Sequence, residues 1–468
     1  MRQRILLVLV TCLAVLVPTA AASASSRQFT TVEAPAELLG GAPGPALDQI
    51  QSLGATAVRI QLTWNQVAPD PTATHAPSFN ATDPNAYPAA GWARYDAAID
   101  GARARGLKVL LTITGGAPKW ATASRRDFLT RPSATAFGKF ATAVGRRYGT
   151  KVSWWSVWNE PNLGKLLKPL YTTRHGRKLA SAGIYRQLYL KAYEGLRSAH
   201  VSAPILLGEL APQANSQHED GTIAPLAFLR GVLCLDSHYR RVGRGCAKLA
   251  TQGLAMHPYS NAAGPHLVPA NADNVTIGVL GRLTSALDRA ARAGALPRRL
   301  PIYITEFGVQ SFPDRQLGVP LATQSDFRSI SERIAYANPR VKSFSQYLLR
   351  DDATVLNSHS AFESGLILFK GSKLKPSFEG FRLPLVVLPA RHGKSGLWGF
   401  VRPAHGHAGS LAIQIHDRGH GWKPLATQHY GANGYWQRTV AAKTGRAWRV
   451  VWTAPDGTTH TGPATIAR

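Results

Sequence analysis

The sequence predicts an α/β fold, a (β/α)8 TIM barrel followed by a small C-terminal all-β sandwich. Three observations support this prediction. The 468 residues are enough for one large domain and one small one. Up to about residue 384, short apolar runs alternate with segments of helical periodicity, which is typical of parallel strands buried on both faces. Beyond residue 384 the pattern consists of strand-like runs separated by turns that contain Gly, His and Pro.

Eight apolar runs and seven helical segments occupy the first part of the chain, which is predicted to form the barrel over residues 27–384. Eight strand–helix units over this length fit a closed barrel with long loops. The predicted strands are residues 29–32, 57–62, 108–113, 152–158, 205–210, 253–256, 301–305 and 341–349. The predicted helices are residues 45–53, 94–105, 133–148, 184–200, 224–235, 276–293 and 324–337.

The last part of the chain, residues 385–468, is predicted to be a sandwich of immunoglobulin or fibronectin type. Seven of the fifteen histidines of the chain lie in it. They stand in turns without a cluster of carboxylate or cysteine partners, so we expect solvated loop histidines and no metal site. The predicted strands are residues 397–401, 410–415, 435–441 and 447–452.

The first 24 residues have the features of a signal peptide. A basic start precedes an apolar run over residues 5–17, and Ala22-Ser23-Ala24 matches the rule for a cleavage site. The run is too short to span a bilayer, and no later segment reaches the roughly 18 apolar residues that a span needs. We therefore expect a secreted protein with no membrane span once the signal is removed. A retained N-terminal anchor is the alternative.

The cysteines predict one disulfide. Removal of the signal peptide takes Cys12 and leaves Cys234 and Cys246. An even pair close in sequence, in an oxidising compartment, favours a disulfide that closes a short loop. Two buried free thiols are the alternative, but the residues between the pair are polar and rich in arginine.

The net charge of the chain is strongly positive. There are 54 Lys and Arg residues against 26 Asp and Glu, which gives a formal charge of +28. Such a charge is compatible with an anionic partner, either a cell-wall polymer, an acidic polysaccharide or a nucleic acid. The arginines are scattered along the helical segments and no nucleic-acid motif accompanies them. We expect a solvated surface with some attraction to an anionic cell wall and no nucleic-acid partner; the sequence leaves the oligomeric state open.

Two glutamates lie where predicted strands four and seven end. Glu160 stands in the segment WNEPN, residues 158–162, and Glu306 in the segment ITEFG, residues 304–308. Strands four and seven lie across a (β/α)8 barrel from each other, and the catalytic groups of such barrels come from the carboxyl ends of strands. The pattern predicts two carboxyl groups aimed at one pocket, which is the arrangement that cleaves a glycosidic bond. A surface ion pair is the alternative for each glutamate.

Further polar residues near the predicted strand ends are compatible with the same pocket. Arg59, His257 and Tyr259 can hold a carboxylate ionised and oriented through hydrogen bonds. His257 and Tyr259 are also compatible with satisfied polar groups of the core. The amide of Asn159 has the reach to bond a sugar 2-hydroxyl. Glu209 ends predicted strand five and fits substrate contact and loop support equally well.

Three aromatic residues also lie near the predicted strand ends. Trp64 and Trp120 offer flat surfaces on which the C–H face of a sugar can stack. Plugging the mouth of the barrel is the alternative for both, and the stacking role is slightly favoured. Tyr347 lies in predicted strand eight and is a further candidate for substrate contact.

Taken in order, these residues resemble the clan A glycoside hydrolases, nearest to the family 5 cellulase-like and the family 39-like enzymes. The similarity covers roughly residues 30–381. In that clan the Asn-Glu-Pro after strand four carries the acid/base, and a glutamate ending strand seven is the nucleophile. The resemblance implies these roles for Glu160 and Glu306, and the role of 2-hydroxyl ligand for Asn159. Three more positions match the clan pattern, the strand-two arginine and the His-x-Tyr after strand six: Arg59, His257 and Tyr259.

The chain departs from the family 5 pattern at two places. Residues 114–120 read TGGAPKW where family 5 usually has a histidine, which is closer to family 39-like sequences. Tyr347 follows Gln346 where a tryptophan often ends strand eight. These departures concern the contacts to the sugar, and they leave the substrate undetermined.

The resemblance implies a secreted, retaining β-glycosidase that acts on a β-linked polysaccharide or oligosaccharide without metal or cofactor. A catalytically inactive carbohydrate- or cell-wall-binding protein is the alternative. The basic charge suggests a third hypothesis, a binder of anionic polymers whose affinity collapses with salt.

Overall fold

The computed structural model describes residues 28–172, 178–216, 218–243, 246–353 and 361–467. The predicted signal peptide, residues 1–24, lies outside these ranges. Within them, no helix is both long and apolar enough to cross a membrane.

Eight parallel strands form a closed barrel. Each strand pairs with the next, and the last pairs with the first, with Val32 opposite both Val58 and Gln346. All eight predicted strands are confirmed, with ends that differ from the prediction by at most two residues. The strands are β1 (Phe29–Glu33), β2 (Ala57–Thr63), β3 (Lys108–Thr114), β4 (Trp154–Val157), β5 (Ile205–Leu210), β6 (Gly253–Met256), β7 (Ile302–Ile304) and β8 (Val341–Tyr347).

Nine α-helices are found in the described part of the chain. The seven predicted helices are confirmed, and two short ones, α1 and α9, were not predicted. Both begin with a proline, which is favoured in the first turn because it lacks an N–H that would have no partner there. The helices are α1 (Pro35–Leu39), α2 (Gly44–Ser52), α3 (Ala89–Ala104), α4 (Ala134–Tyr148), α5 (Ala180–Ser198), α6 (Pro225–Val232), α7 (Leu280–Arg292), α8 (Leu321–Ala337) and α9 (Pro376–Arg382).

The main core lies between the barrel strands and the surrounding helices. Trp155 on β4 and Leu188 on α5 are completely buried in it. Helices α4 and α5 approach closely where Gly195 faces Gly138, because a Cβ at Gly195 would lie 2.3 Å from the Gly138 carbonyl oxygen. This packing fixes the outer helices and therefore the strand ends that carry the polar residues described below.

The C-terminal part contains two antiparallel sheets, with strand orders β13-β10-β9 and β12-β11-β14-β15. Trp436, Trp448 and Trp452, from both sheets, share one buried apolar cluster. The four predicted strands are confirmed, and β9, β12 and β15 were not predicted. Two of these have three residues each, and β12 is mostly exposed, so none shows a clear alternation. The strands are β9 (Leu385–Val387), β10 (Lys394–Phe400), β11 (Gly409–His416), β12 (Lys423–Tyr430), β13 (Tyr435–Ala441), β14 (Ala447–Thr453) and β15 (Thr459–Thr461).

Helix α8 joins the barrel to the C-terminal sheets. Its Ile330 and Tyr336 pack in one buried cluster with Trp398. Glu332, also on α8, is 1% exposed and forms an ion pair with Arg402 that follows β10. The two parts of the chain therefore meet through an apolar contact and a buried charge pair.

The predicted disulfide is present. Cys234 and Cys246 are bonded, with their Cα atoms 6.2 Å apart. Cys234 follows α6, and the segment between this helix and β6 lies at the amino-terminal end of the barrel. The disulfide is therefore at the opposite end from the polar residues of the strand carboxyl ends.

Candidate active site

One network of hydrogen bonds and close charge contacts brings together seven of the residues that the sequence predicted for the site. Arg59 lies within β2, and the other six lie at or just after the ends of β4, β5, β6 and β7, at the carboxyl-terminal end of the barrel. Hydrogen bonds of 3.1 Å or less link five of them around Arg59, and a hydrogen bond of 3.0 Å joins the other two, Glu160 and His257. His257 connects the two sets, because it lies 3.8 Å from Glu306 and 3.9 Å from Glu209. The seven are Arg59, Asn159, Glu160, Glu209, His257, Tyr259 and Glu306.

A tight turn after β4 aims Asn159 and Glu160 in different directions. Trp158 and Glu160 have φ angles of 69° and 41°, in the left-handed region that non-glycine residues seldom adopt. The Trp158 ring is completely buried, and its Nε1 donates to the Leu166 carbonyl at 3.2 Å. The Asn159 backbone N–H donates to Oγ1 of Thr114 at 3.0 Å. Strained backbone held by its surroundings is typical of functional sites.

Glu306 stands two residues beyond the end of β7 and is 8% exposed. The next residue, Phe307, is fully buried and stacks on Tyr259 with ring centroids 5.9 Å apart. Gly308 follows, and a Cβ at this position would lie 2.3 Å from the Tyr347 carbonyl oxygen. The segment around Glu306 is therefore held between the ends of β6 and β8.

The carboxyl groups of Glu160 and Glu306 face each other. One oxygen of each lies within 4.8 Å of the other, and one ring nitrogen of His257 lies within the same distance of both. Retaining glycosidases hold their two carboxyl groups about 5–5.5 Å apart, whereas inverting ones keep them about 6.5–9.5 Å apart. The upper bound of 4.8 Å for this pair is nearer to the retaining separation than to the inverting one.

Arg59 is the centre of the network. It is 1% exposed, and its Nη1 donates to Oε2 of Glu306 at 2.9 Å. Its Nη2 donates to Oδ1 of Asn159 at 2.8 Å and to Oε2 of Glu209 at 2.5 Å. Burial alone would lower the pKa of Arg59, but Glu209 and Glu33 hold it well above its ordinary value. Arg59 therefore keeps its positive charge beside Glu306.

Glu209 supports Arg59 and is shielded from substrate. It is completely buried and accepts from Arg59 Nε and from Thr112 Oγ1, each at 3.1 Å. Burial alone would raise the pKa of Glu209, but Arg59, and after it His257, hold it below its ordinary value. Of the two roles that the sequence left open, the contacts favour support.

His257 lies between the carboxylates. Its Nδ1 is 3.0 Å from Oε1 of Glu160 and 3.8 Å from Oε2 of Glu306, while its Nε2 is 3.9 Å from Oε2 of Glu209. The ring is completely buried. Burial alone would lower the pKa of His257, but Glu306 and Glu160 outweigh it and raise the pKa above its ordinary value. His257 is therefore a hydrogen-bond partner for Glu160 that gains positive charge readily.

Two tyrosines flank Glu306. The Tyr259 hydroxyl donates to Oε1 of Glu306 at 2.8 Å. Burial, and after it the charge of Glu306, raises the pKa of Tyr259 well above its ordinary value, so this hydroxyl stays a donor. Tyr347, at the end of β8, packs edge-on against Phe362 at 5.2 Å, and burial followed by Glu306 raises its pKa as well.

The two predicted tryptophans lie apart from this network. Trp64 is 1% exposed and packs on Phe140 and Phe137 of α4, with ring centroids 5.6 and 5.4 Å away. Trp120 is half-buried, stands edge-on to Trp64, and donates from Nε1 to the Pro69 carbonyl at 3.1 Å. Trp64 therefore packs against α4 away from the network, whereas Trp120 stays a candidate for stacking on a sugar.

Sequence reasoning missed Glu33, Gln61 and Thr112. Glu33 ends β1, is 2% exposed, and bonds Arg59 Nη1. Gln61 Nε2 donates to Oε1 of Glu33 at 2.9 Å. Glu33 carried the same signal as the two recognised glutamates, a carboxylate directly after an apolar run, but the predicted first strand stopped one residue short of it.

Three side chains are close enough to share a cation. They are Glu160, His257 and Glu306, each of which offers one atom within 4.8 Å of the others. Two carboxylates and an imidazole suit several divalent metals. Each of the three already has a hydrogen-bond partner in the network, so the contacts do not require an ion.

The comparisons with known proteins bear on the fold. No family model matches the chain. A β-glucosidase from Agrobacterium sp. is 25% identical over 166 residues, which is 35% of this chain and 34% of that protein. The match thus spans about a third of the curated relative.

Solved structures extend the likeness to most of the chain. A β-glucosidase from Exiguobacterium marinum has a TM-score of 0.51 at 16% identity, covering 75% of this chain and 96% of that one. GH5_18 from Streptomyces cattleya, solved in complex with GlcNAc, has a TM-score of 0.51 at 14% identity, covering 77% and 79%. The chain has the (β/α)8 fold of these glycoside hydrolases.

Proposed function

We propose that the protein is a secreted, clan A-like glycoside hydrolase that cleaves β-glycosidic bonds with retention of configuration. The observation that carries this proposal is the distance of at most 4.8 Å between carboxyl oxygens of Glu160 and Glu306. A gap of this size accommodates one sugar ring between a nucleophile and an acid. The likeness of the fold to β-glucosidases supports the proposal.

In the first step Glu306 attacks the anomeric carbon of the substrate. Arg59 and Tyr259 hold one oxygen each, so the carboxylate is fixed in orientation. Glu160 donates its proton to the departing glycosidic oxygen. The glycosidic bond breaks, and an ester forms between the sugar and Glu306.

In the second step Glu160, now a carboxylate, takes a proton from the incoming water. The water oxygen attacks the anomeric carbon, the ester bond breaks, and Glu306 is released as a carboxylate. His257, 3.0 Å from Glu160, is placed to stabilise the negative charge of Glu160 between the two steps. Asn159, held by Arg59, is placed to bond the sugar 2-hydroxyl.

The substrate class follows from the same arrangement. We infer a β-linked glycan, because the pair stands in the order and spacing of clan A enzymes that act on β-glycosides. The charge of +28 favours a substrate or surface with anionic character, such as a cell wall. Export through the predicted signal peptide would bring the enzyme to such a polymer.

A substrate panel tests the proposal. Aryl β-glycosides together with soluble β-glucan, mannan and xylan are incubated with the full-length protein, and reducing ends and product anomers are measured. Glu160→Gln and Glu306→Gln are each expected to abolish turnover. Glu194→Gln, which removes an exposed carboxylate on α5, is the matched control and retains it. Unchanged activity in either site variant would reject the assignment.

Azide distinguishes the roles of the two glutamates. In Glu306→Gly, azide is expected to occupy the space of the missing carboxylate and to give a glycosyl azide of inverted configuration. In Glu160→Gly, azide replaces the incoming water and gives the retained product. The reverse pattern would exchange the two roles. Addition of a chelator to the native enzyme is expected to leave turnover unchanged.

A further inference from the structure

Arg59 holds two carboxylates through one nitrogen. Its Nη1 donates to Oε2 of Glu306 at 2.9 Å and also to Oε2 of Glu33. Glu33 is 2% exposed, so it is shielded from a substrate, and its charge acts mainly on the groups beside it. The hydrolysis proposed above changes the charge of Glu306. Any such change therefore alters the free energy of ionising Glu33.

The charges around Arg59 do not balance if every carboxylate is ionised. Arg59 carries one positive charge, and Glu209 already cancels it through contacts to Nε and Nη2. Ionised Glu306 and ionised Glu33 would add two negative charges in a nearly water-free site, and a protonated His257, 3.8 Å from Glu306, would offset only one of them. The remaining charge is costly. Burial, opposed by Arg59 and assisted by Glu306, raises the pKa of Glu33 to about 7. Glu33 is therefore the carboxyl group of this set that holds a proton near neutral pH.

Four groups surround Glu33, from three different strands. Arg59 and Gln61 come from β2, with Gln61 Nε2 donating to Oε1 of Glu33 at 2.9 Å. Glu306 follows β7, and Tyr347 on β8 is close enough for the charge of Glu33 to help raise its pKa, after burial and Glu306. In the described part of the chain Arg59 is the one cation bonded to Glu33, and it is the cation that Glu306 uses.

We propose that Glu33 is a positioning residue that balances the charge on Arg59, protonated while Glu306 is a free carboxylate and ionised once Glu306 is a glycosyl ester. The inference rests on the proposed function. When the ester forms, Glu306 loses its negative charge and the leaving oxygen takes its proton from Glu160. Glu33 then releases its own proton to solvent and becomes the second anion of Arg59. Hydrolysis of the ester restores the charge of Glu306, and Glu33 takes a proton back.

Glu306→Gln imitates the neutral ester without any substrate, which makes the inference testable directly. The full-length protein, labelled with ¹³C at glutamate carboxyl groups, is titrated by NMR, and Glu33→Gln identifies the Glu33 signal among the ten glutamates. We expect a midpoint near neutral pH in the native protein. In Glu306→Gln the midpoint is expected to fall by about one pH unit or more, because a neighbouring like charge has been removed.

A matched control separates this effect from a general change of charge. Glu194→Gln removes one negative charge from the exposed surface of α5 and is expected to leave the Glu33 midpoint unchanged. Glu306→Ala removes the same charge as Glu306→Gln, so the titration can still be measured if one of the two variants does not fold. Equal midpoints in the native protein and the Glu306 variants would overturn the inference, as would a Glu33 that is ionised throughout pH 5–8 in the native protein.

The titration does not require turnover, so its outcome is independent of the outcome of the activity assays. A shifted Glu33 midpoint in a protein without glycosidase activity would reject the hydrolase and keep the electrostatic link between the two carboxyl groups. An active hydrolase with an unshifted midpoint would reject the role of Glu33 and keep the two catalytic glutamates.

Discussion

The hydroxyl of Tyr259 donates a 2.8 Å hydrogen bond to Oε1 of Glu306. Arg59 occupies the other oxygen of the same carboxylate, at 2.9 Å. A carboxylate held at both oxygens cannot rotate, so in the proposed mechanism the oxygen that attacks the anomeric carbon is defined before substrate binds. Tyr259 is itself fixed by its stack on Phe307, the neighbour of Glu306.

Tyr259→Phe is expected to lower kcat/KM about 10- to 100-fold. A hydrogen bond to a charged group contributes on the order of 1.5–3 kcal/mol, and the phenylalanine ring keeps the stack on Phe307 while losing the hydroxyl. The rates are measured with an aryl β-glycoside. Tyr435→Phe, which removes a hydroxyl bonded to Gln437 in the C-terminal sheets, is the control. Equal rates in both variants would show that Tyr259 does not orient the nucleophile.

Much of the barrel and of its site could be predicted from the sequence. The eight strands are buried on both faces, so each appears as an apolar run, and the polar residue at its end stands out. Glu160 and Glu306 were found in this way, and Arg59 was found as a charged residue within predicted strand two. Contacts between residues distant in sequence were invisible, since periodicity does not show which polar residues become buried. Glu209 is an example, because the contacts with Arg59 and Thr112 that define it come from other strands.

Trp64 shows the same limit for an aromatic residue. Its position just after a predicted strand favoured a stacking surface for sugar. Phe137 and Phe140 of α4, a helix much later in the chain, cover its ring instead. The sheets at the C-terminus were predicted only where strands alternate between buried and exposed residues. The exposed strand β12 lacks that alternation because few of its side chains enter the shared core.

The raised pKa of Glu33 predicts a particular pH dependence of stability. The folded pKa is about 7 against an ordinary value of 4.5, so the folded state binds more protons than the unfolded state between these values. The contribution of Glu33 to the free energy of unfolding is therefore fully present below pH 4.5, and it is lost as the pH rises through 7. Glu33→Gln is always neutral and lacks this loss, which is on the order of 3 kcal/mol.

Urea unfolding of the native protein and of Glu33→Gln at several pH values between 5 and 8 measures the difference. The contributions of His257 and Glu209 are common to both proteins and largely cancel. Glu33→Gln is expected to gain stability relative to the native protein as the pH rises. A difference that is constant with pH would mean that Glu33 is ionised across the whole range. Glu194→Gln, with an exposed carboxylate, should show such a constant difference.

Removal of the disulfide is expected to lower stability without changing catalysis. Cys234 and Cys246 are 12 residues apart, and closing a loop of this length stabilises a protein by about 3 kcal/mol in the chain-entropy account. The double variant Cys234→Ser, Cys246→Ser should unfold at correspondingly lower urea concentration. Its kcat at 25 °C should match the native value, because the loop lies at the amino-terminal end of the barrel. A large drop in kcat would contradict this separation.

Arg402 links the C-terminal sheets to the barrel through a buried ion pair, and its loss should destabilise the whole chain. Glu332 is 1% exposed and is held by Arg402 from one side and by Arg328, at 2.9 Å, from the other. Arg402 also donates to the Phe381 carbonyl. In Arg402→Met, Glu332 keeps one partner. We therefore expect the free energy of unfolding to fall by about 3 kcal/mol, which is the lower end of the range for breaking a buried ion pair.

The control for this change is Arg418→Met, because Arg418 is exposed in the turn between β11 and β12. Urea unfolding followed by tryptophan fluorescence measures both variants. If the sheets were a tethered module, Arg402→Met would leave the unfolding midpoint of the barrel unchanged, and a separate transition of the sheets would appear. A single transition at lower urea concentration is expected instead, because Ile330 and Tyr336 of α8 belong to the same buried cluster as Trp398 of the sheets.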